Sequence, residues 1–423
     1  MKRVVITGLG FITSIGNSQR EVLQSVRESR TGIAVSPELE KLGTPFRLVG
    51  SVKGFEFPEI RPEEWSYPAE YSITREQLRS MSPNTVYGFC AMQQAIADAR
   101  LTPAEVSNPR TGAMCASNGS AWLTYEYLDI MLKRGVQRCN PLAMAASVAG
   151  SLNMNLVACF RIKGDSLGFS SACASSSHAL GAAYDRILLG RQDILFVAGA
   201  EECHLLNIMP FAGMRALTTQ HDSAVSPCAF DRKRDGFVLG GGATVLVLEE
   251  LDHALQRNAP IYAEVRGWGE ASDGYSVMAP EPTGDGLARA MDLAITAAGI
   301  SRNHIDYINA HATSTVAGDL AELRAIKRVF GHGQTPQVSS TKSITGHGLS
   351  MAGALETAVC CLALKERFTP VSANITELDP ECEGVSIVTA PVERAPRIAM
   401  SNSSGFGGTN VSIVLQRWEG TEP

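Results

Sequence analysis

No Cys-x-x-Cys pair occurs among the ten cysteines of this 423-residue chain, and their spacing is irregular. Thiols this sparse build neither a disulfide framework nor a structural zinc site. A reducing, cytoplasmic compartment is therefore expected, with most of the cysteines acting as small buried hydrophobes. A basic excess is also missing. The 37 Lys and Arg face 43 Asp and Glu, a net charge of −6, which argues against a dedicated nucleic-acid binder. No uncharged apolar run reaches the roughly 18–20 residues that cross a bilayer. The longest candidate, around Leu355 to Leu364, contains Glu356. Val4-Val5-Ile6 is too short for a signal h-region and is read as the first strand. There is no G-x-S-x-G elbow, no His-Glu-x-x-His and no phosphate-cradling P-loop. Gly8-Leu9-Gly10 starts like a dinucleotide fingerprint, but Thr13 stands where the third glycine belongs. It is read as a strand-to-turn glycine pair, and no nicotinamide cofactor is expected.

What the chain does have is a large apolar fraction, 44% against 19% charged residues, enough for a substantial core. Short β-branched runs recur at Val4–Thr7, Ile194–Val197, Thr244–Leu248, Ile305–Ile308 and Val411–Leu415, and buried strands fit them best. Between them, Val86, Phe89, Cys90, Met92 and Ile96 make one helical stripe, and Leu287–Ala298 and Leu320–Val329 read similarly. Alternating strands and helices indicate an α/β protein. The length corresponds to about three ordinary domains, yet no Pro-rich linker or charge block divides the chain. A faint echo links Ser170–Cys173 and its helix with Ser339–Lys342 and the stretch leading to Phe368–Val371. Either two related halves meet near residue 250, or the echo is chance.

Cys173 lies in a run of small residues, Ser170 to Ala179, that becomes helical and ends near Gly190. A cysteine in a helix's first turn meets the positive end of the dipole, which favours thiolate. His311 follows a strand, and His347 sits between Gly346 and Gly348, where other groups can approach closely. Each histidine alone fits an ordinary structural role. Together with Cys173 they fit acyl transfer, in which a thiolate attacks and imidazoles donate to developing oxyanions. Ser403–Asn410 carries three glycines, and reads either as a hairpin or as a mobile loop presenting backbone N–H groups to an anionic centre.

In this order, Val5–Gly10, Ser171-Ala172-Cys173, Asp235–Val238, His311–Thr315, Thr341–His347 and Gly405–Asn410 resemble the β-ketoacyl-ACP synthases that elongate fatty acids, within the thiolase-like superfamily. Ser14–Asn17 and Ala95–Ala99 look most like the type I enzyme, with type II next. The resemblance implies a duplicated five-layer α-β-α-β-α fold. Its halves would be 1–250, carrying the nucleophile, and 251–423, carrying the histidines. It implies that Cys173 is acylated, that His311 and His347 bind the malonyl thioester carbonyl, and that Lys342 and Glu356 form a charged pair. Backbone N–H groups of Cys173 and Phe406 would form the oxyanion hole. Phe406 would also be a gate, and Phe237 would lie where the malonyl carboxylate leaves. Thr313, Thr315, Ser404, Gly405 and Gly407 would contact substrate. No metal or redox cofactor is implied, because substrates ride on the phosphopantetheine arm of acyl carrier protein.

Carrier proteins are acidic and this chain is net negative, so docking needs a local basic patch. Lys133, Arg134 and Arg138 are one candidate, and Arg75 with Arg79 another; both also fit ordinary solvated surface. The resemblance further implies a dimer, either of two identical chains or with a ketosynthase-like partner. The rival reading is a catalytically silent chain-length-factor-like partner, which would lack the cysteine that this chain keeps. The family usually has Phe where Ser404 stands, Gly where Ala312 stands, and Gly-His-Ser-Leu-Gly-Ala-Ala-Gly where this chain reads Gly346-His347-Gly348-Leu349-Ser350-Met351-Ala352-Gly353. Losing a phenyl frees space while Met351 and Ala312 add bulk. A reshaped pocket and a non-standard acyl chain, such as that of a polyene or polyketide pathway, are expected.

Overall fold

The computed structural model describes residues 2–392 and 394–420. The first half supplies β1 (Val4–Thr13), β2 (Thr111–Ala116), β3 (Ser166–Phe169), β4 (Ile194–Glu201) and β5 (Gly242–Glu250). The second supplies β6 (Ala263–Ser272), β7 (Tyr307–Asn309), β8 (Gln337–Ser339), β9 (Ile398–Gly405) and β10 (Thr409–Arg417). The first set is ordered β3-β2-β4-β5-β1 and the second β8-β7-β9-β10-β6, the same path traced twice. In both sets the first two pairings are parallel and the last two antiparallel. The sets join where β1 meets β6 over only Val4, Val5 and Ile6.

Seven helices matter for the site: α1 (Pro83–Asp98), α2 (Ala121–Arg134), α3 (Ser151–Phe160), α4 (Ser175–Leu188), α5 (Asp285–Ala298), α6 (Val316–Phe330) and α7 (Ala352–Glu366). Apolar residues of α1 and α3 cover the outer face of the first sheet, against Ile12, Phe196 and Val245. Those of α5 and α6 cover the second, against Ile308, Val338 and Val414. Helices α4 and α7 fill the middle, where Leu180, Ile187, Leu355 and Val359 pack with Val197, Leu246, Val411 and Ile413. Every residue of α7 from Ala352 to Leu364 is buried. Apart from Glu356 and Thr357, that stretch is apolar around its circumference, as a helix enclosed on all sides requires. Helix, sheet, helix, sheet, helix gives five layers.

Three details differ from the sequence pattern. The turn expected after Thr7 is absent, because β1 continues, fully buried, to Thr13. Gly8 and Gly10 serve contact instead. A Cβ on Gly10 would stand 1.9 Å from the Ala91 carbonyl oxygen, and one on Gly8 2.6 Å from that of Ala95, so the glycines let α1 lie directly on the strand. Second, α5 and α6 begin at Asp285 and Val316, earlier than their apolar stripes suggest. Third, Phe368–Val371 forms no strand; after α7 come a two-residue strand, Ser386–Ile387, which pairs with β8 at the edge of the sheet, and then β9.

Candidate active site

Cys173 sits on the tight turn between β3 and α4. Ala172 adopts φ +50°, the left-handed region that a side chain resists. Ser175 clamps the turn, its Oγ accepting from Ser171 N at 2.8 Å and donating to Ala172 O at 2.6 Å. The helix begins at Ser175, so Cys173 precedes the first turn and does not lie within it. Burial pushes its thiol up to about 12, and the positive charge of Lys342 offsets only part of this. Desolvation thus opposes the thiolate that a helix N-terminus favours.

Both histidines come from the second half. His311 leaves β7, and its backbone N–H and that of Ala312 donate to the Glu322 carboxylate at 3.0 and 2.7 Å. His347 follows Gly346, whose φ of +73° turns the chain back, and its N–H donates to Val238 O at 2.7 Å. The Nε2 of His347 lies 3.1 Å from the Cys173 Sγ. The two imidazoles meet edge to face with centroids 5.2 Å apart, and Phe237 stands against His347 at 5.4 Å. Donor atoms of Cys173, His311 and His347 all fall within 4.8 Å of one another, a set that could also take a metal ion. Burial, reinforced by Lys342, holds both histidines well below their ordinary value, so they are neutral. Lys342 forms a buried ion pair with Glu356 of α7, whose carboxyl burial raises to about 7.

A cavity of about 440 Å³ opens over these groups. Cys173, Phe237, His311, Thr313, Thr315, His347, Ser404, Gly405 and Phe406 all line it. Lys342 and Glu356 stand behind the wall, and Gly407 lies outside it at the tip of the β9–β10 hairpin. That tip is pinned: Gly407 N donates to Val277 O at 2.7 Å, and Asp273 N to Gly408 O at 2.8 Å. Ser404 Oγ donates to Asn410 Oδ1, and Asn410 Nδ2 to Asp273 Oδ1, both at 2.7 Å. Phe406 is 37% exposed, with its ring 6.2 Å from that of Phe211, which in turn meets Phe237 at 5.4 Å.

Sequence reasoning missed Phe211, Asp273, Asp319 and Glu322. Asp319 accepts from Phe230 N at 2.9 Å and Ser314 N at 3.1 Å, and so shapes the loop after His311. The usable signal was two carboxylates three residues apart on the side of α6 that also carries Leu323 and Ile326. The departures around His347 are coupled by packing. A Cβ on Gly348 would stand 2.5 Å from the Met351 Cε. Ser350 Oγ donates to the buried carboxylate of Glu201.

The family described as Beta-ketoacyl synthase, N-terminal domain, matches residues 1–254, and Beta-ketoacyl synthase, C-terminal domain, matches residues 262–376. The chain belongs to the beta-ketoacyl synthase family. It is 41% identical to 3-oxoacyl-(acyl-carrier-protein) synthase 1 of Escherichia coli K12, over 99% of both chains. A solved beta-ketoacyl synthase from Burkholderia phymatum superposes with TM-score 0.90 at 34% identity, covering 99% of this chain and 100% of that one. The ketosynthase of a type II polyketide synthase, solved with its acyl-carrier protein, superposes with TM-score 0.88 at 27% identity, covering 99% and 100%. This beta-ketoacyl synthase therefore has the thiolase-like fold and is an acyltransferase that catalyses condensation.

Proposed function

We propose that Cys173 carries the acyl chain and that His311 and His347 manage the charge of the malonyl unit. The convergence of Cys173, His311 and His347 on one cavity supports this reading most directly. In the first half-reaction the Cys173 sulfur attacks the thioester carbonyl of an acyl-ACP. Its proton ends on the departing pantetheine thiolate. Malonyl-ACP then docks. Its C–C bond to the carboxylate breaks, CO2 departs, and the electron pair becomes an enolate whose oxygen accepts from the two imidazole N–H groups. Neutral imidazoles suit this step, since imidazolium would protonate and quench the carbanion. The apolar face of Phe237 disfavours the carboxylate relative to neutral CO2. The enolate carbon attacks the acyl-cysteine, and the oxyanion that forms accepts from the backbone N–H groups of Cys173 and Phe406. Collapse expels the Cys173 thiolate, which takes a proton from solvent, and β-ketoacyl-ACP leaves.

Lys342 reinforces the burial that keeps the histidines neutral, and Glu356 balances its charge. Thr313 and Thr315, whose hydroxyls lie 3.1 Å apart, line the path of the pantetheine arm together with Gly405. Gly407 acts by letting the Phe406 gate turn. Every step is met by side chains and backbone, with substrates delivered on acyl carrier protein. Two basic clusters suggested by sequence meet in part: Arg75, Arg79 and Arg138, with Arg61, line one groove, while Lys133 and Arg134 lie outside it. That groove is the proposed carrier dock. Leu167 is exposed on β3, which ends the sheet, and Tyr125, Leu128 and Leu132 are exposed along α2. We assign these exposed apolar residues to contact with a second copy of the chain. The halves 1–250 and 251–423 are read as a duplication, supported by the repeated strand order. No helix among the described residues is long and apolar enough to cross a membrane, in keeping with action in the cytoplasm.

The test is intact-mass analysis after incubation with a panel of acyl-ACPs. An acyl adduct in wild type but not in Cys173→Ala is expected, and its mass identifies the preferred chain. No adduct across the panel would favour the silent-partner reading.

A further inference from the structure

Two residues before Cys173, the Ser171 Oγ lies 2.8 Å from Nδ1 of His178. The opposite ring nitrogen, Nε2, lies 3.1 Å from Glu270 Oε2. A carboxylate accepts only from an N–H, so Glu270 places the ring proton on Nε2 and leaves Nδ1 to accept from the Ser171 hydroxyl. The connectivity is hydroxyl, imidazole, carboxylate, the order that orients a base in serine hydrolases. Ser171, however, does not line the cavity, so this relay has no substrate of its own to attack.

What it grips is the nucleophile's turn. Each remaining polar group of Ser171 is already committed. Its N–H donates to Ser175 Oγ at 2.8 Å, and its carbonyl accepts from Ala174 N at 3.2 Å and from Thr409 Oγ1 of β10 at 3.3 Å. Immediately after it, Ala172 holds the left-handed conformation that persists only where its surroundings over-determine it. Gly405 is pressed against the same place, where an added Cβ would stand 2.8 Å from Ser171 O and 3.1 Å from Cys173 N. Glu270 reaches this turn from β6, directly opposite Val411 of β10. Burial keeps the His178 ring below its ordinary value and hence neutral, the form the relay requires.

We propose that Glu270 and His178 are positioning residues that hold Ser171, and through it the strained turn that aims the Cys173 sulfur into the cavity. The inference rests on Cys173 being the acylated nucleophile. The relay couples a strand of the second half to a turn of the first, at the point where the gate hairpin crosses it.

The experiment uses the intact enzyme with acyl-ACP and malonyl-ACP. It compares wild type, Glu270→Ala, Glu270→Gln, Ser171→Ala and the Glu270→Ala/Ser171→Ala double variant. Glu270→Ala should slow both alkylation of Cys173 by iodoacetamide and first-turnover acyl transfer about tenfold, the worth of one charge-assisted hydrogen bond. Malonyl-ACP decarboxylation should fall much less. Glu270→Gln, whose amide oxygen still accepts from Nε2–H, should recover most of the rate. The double variant should be no slower than Ser171→Ala, because both break one chain. An unchanged alkylation rate in Glu270→Ala overturns the proposal, as does an equal loss in every step accompanied by a lower melting temperature. Mapping the acyl adduct by mass separates the two readings: an adduct away from Cys173 would remove the underlying assignment instead.

Discussion

Lys342 and Glu356 pair behind the wall of the active site, each side chain 3% exposed. Breaking one partner of such a pair strands a charge in a dry interior. Lys342→Met or Glu356→Gln alone should destabilise the protein by about 3–5 kcal/mol in denaturant unfolding. The Lys342→Met/Glu356→Leu double variant should regain most of that stability while condensing more slowly, because the charge that reinforces burial in suppressing imidazole protonation is gone. A single variant as stable as wild type would disprove the coupling.

Glu201 ends β4 fully buried, and burial raises its carboxyl from 4.5 to about 8. The folded protein therefore keeps this proton over an interval in which the unfolded chain has released it. The contribution is fully present below pH 4.5 and is lost as pH rises toward 8. Glu201→Gln, which stays neutral throughout, should flatten the decline of the melting temperature over that interval. A slope identical to wild type would refute the assignment.

Ser404 stands where the family usually carries Phe, and its hydroxyl binds Asn410 at 2.7 Å. Ser404→Phe should fill part of the cavity and release Asn410. In competition assays with acyl-ACPs of several lengths, the preferred chain should change. Identical preferences in variant and wild type would mean that this position does not select substrate.

Arg75→Glu, Arg79→Glu and Arg138→Glu should each raise KM for ACP-borne substrates while sparing free pantetheine thioesters. The difference should shrink at high salt. Lys133→Glu and Arg134→Glu, outside the groove, should do less. Equal effects on carrier-bound and free thioesters would exclude docking as the cause.

The site was legible where chemistry is written in contiguous residues. Cys173, His311, His347 and Ser404 were visible as motifs, and all four line one cavity. What was hidden depends on approach between distant segments. Nothing adjacent to Gly10 says that Ala91 will press against it, so an extended strand looked like a turn. The burial that pushes the Cys173 thiol up is likewise invisible in sequence, where only the helix terminus shows. Glu322 supports His311 from α6, eleven residues away, and shows only as one of two carboxylates on a face that also carries Leu323 and Ile326.

Gly348 and Met351 share one volume. A Cβ at position 348 would stand 2.5 Å from the Met351 thioether methyl, so a side chain there fits only if the flexible methionine swings aside. A residue larger than glycine at 348 and the present Met351 rotamer exclude each other, and the two departures from the family pattern act as a single change of shape beside His347.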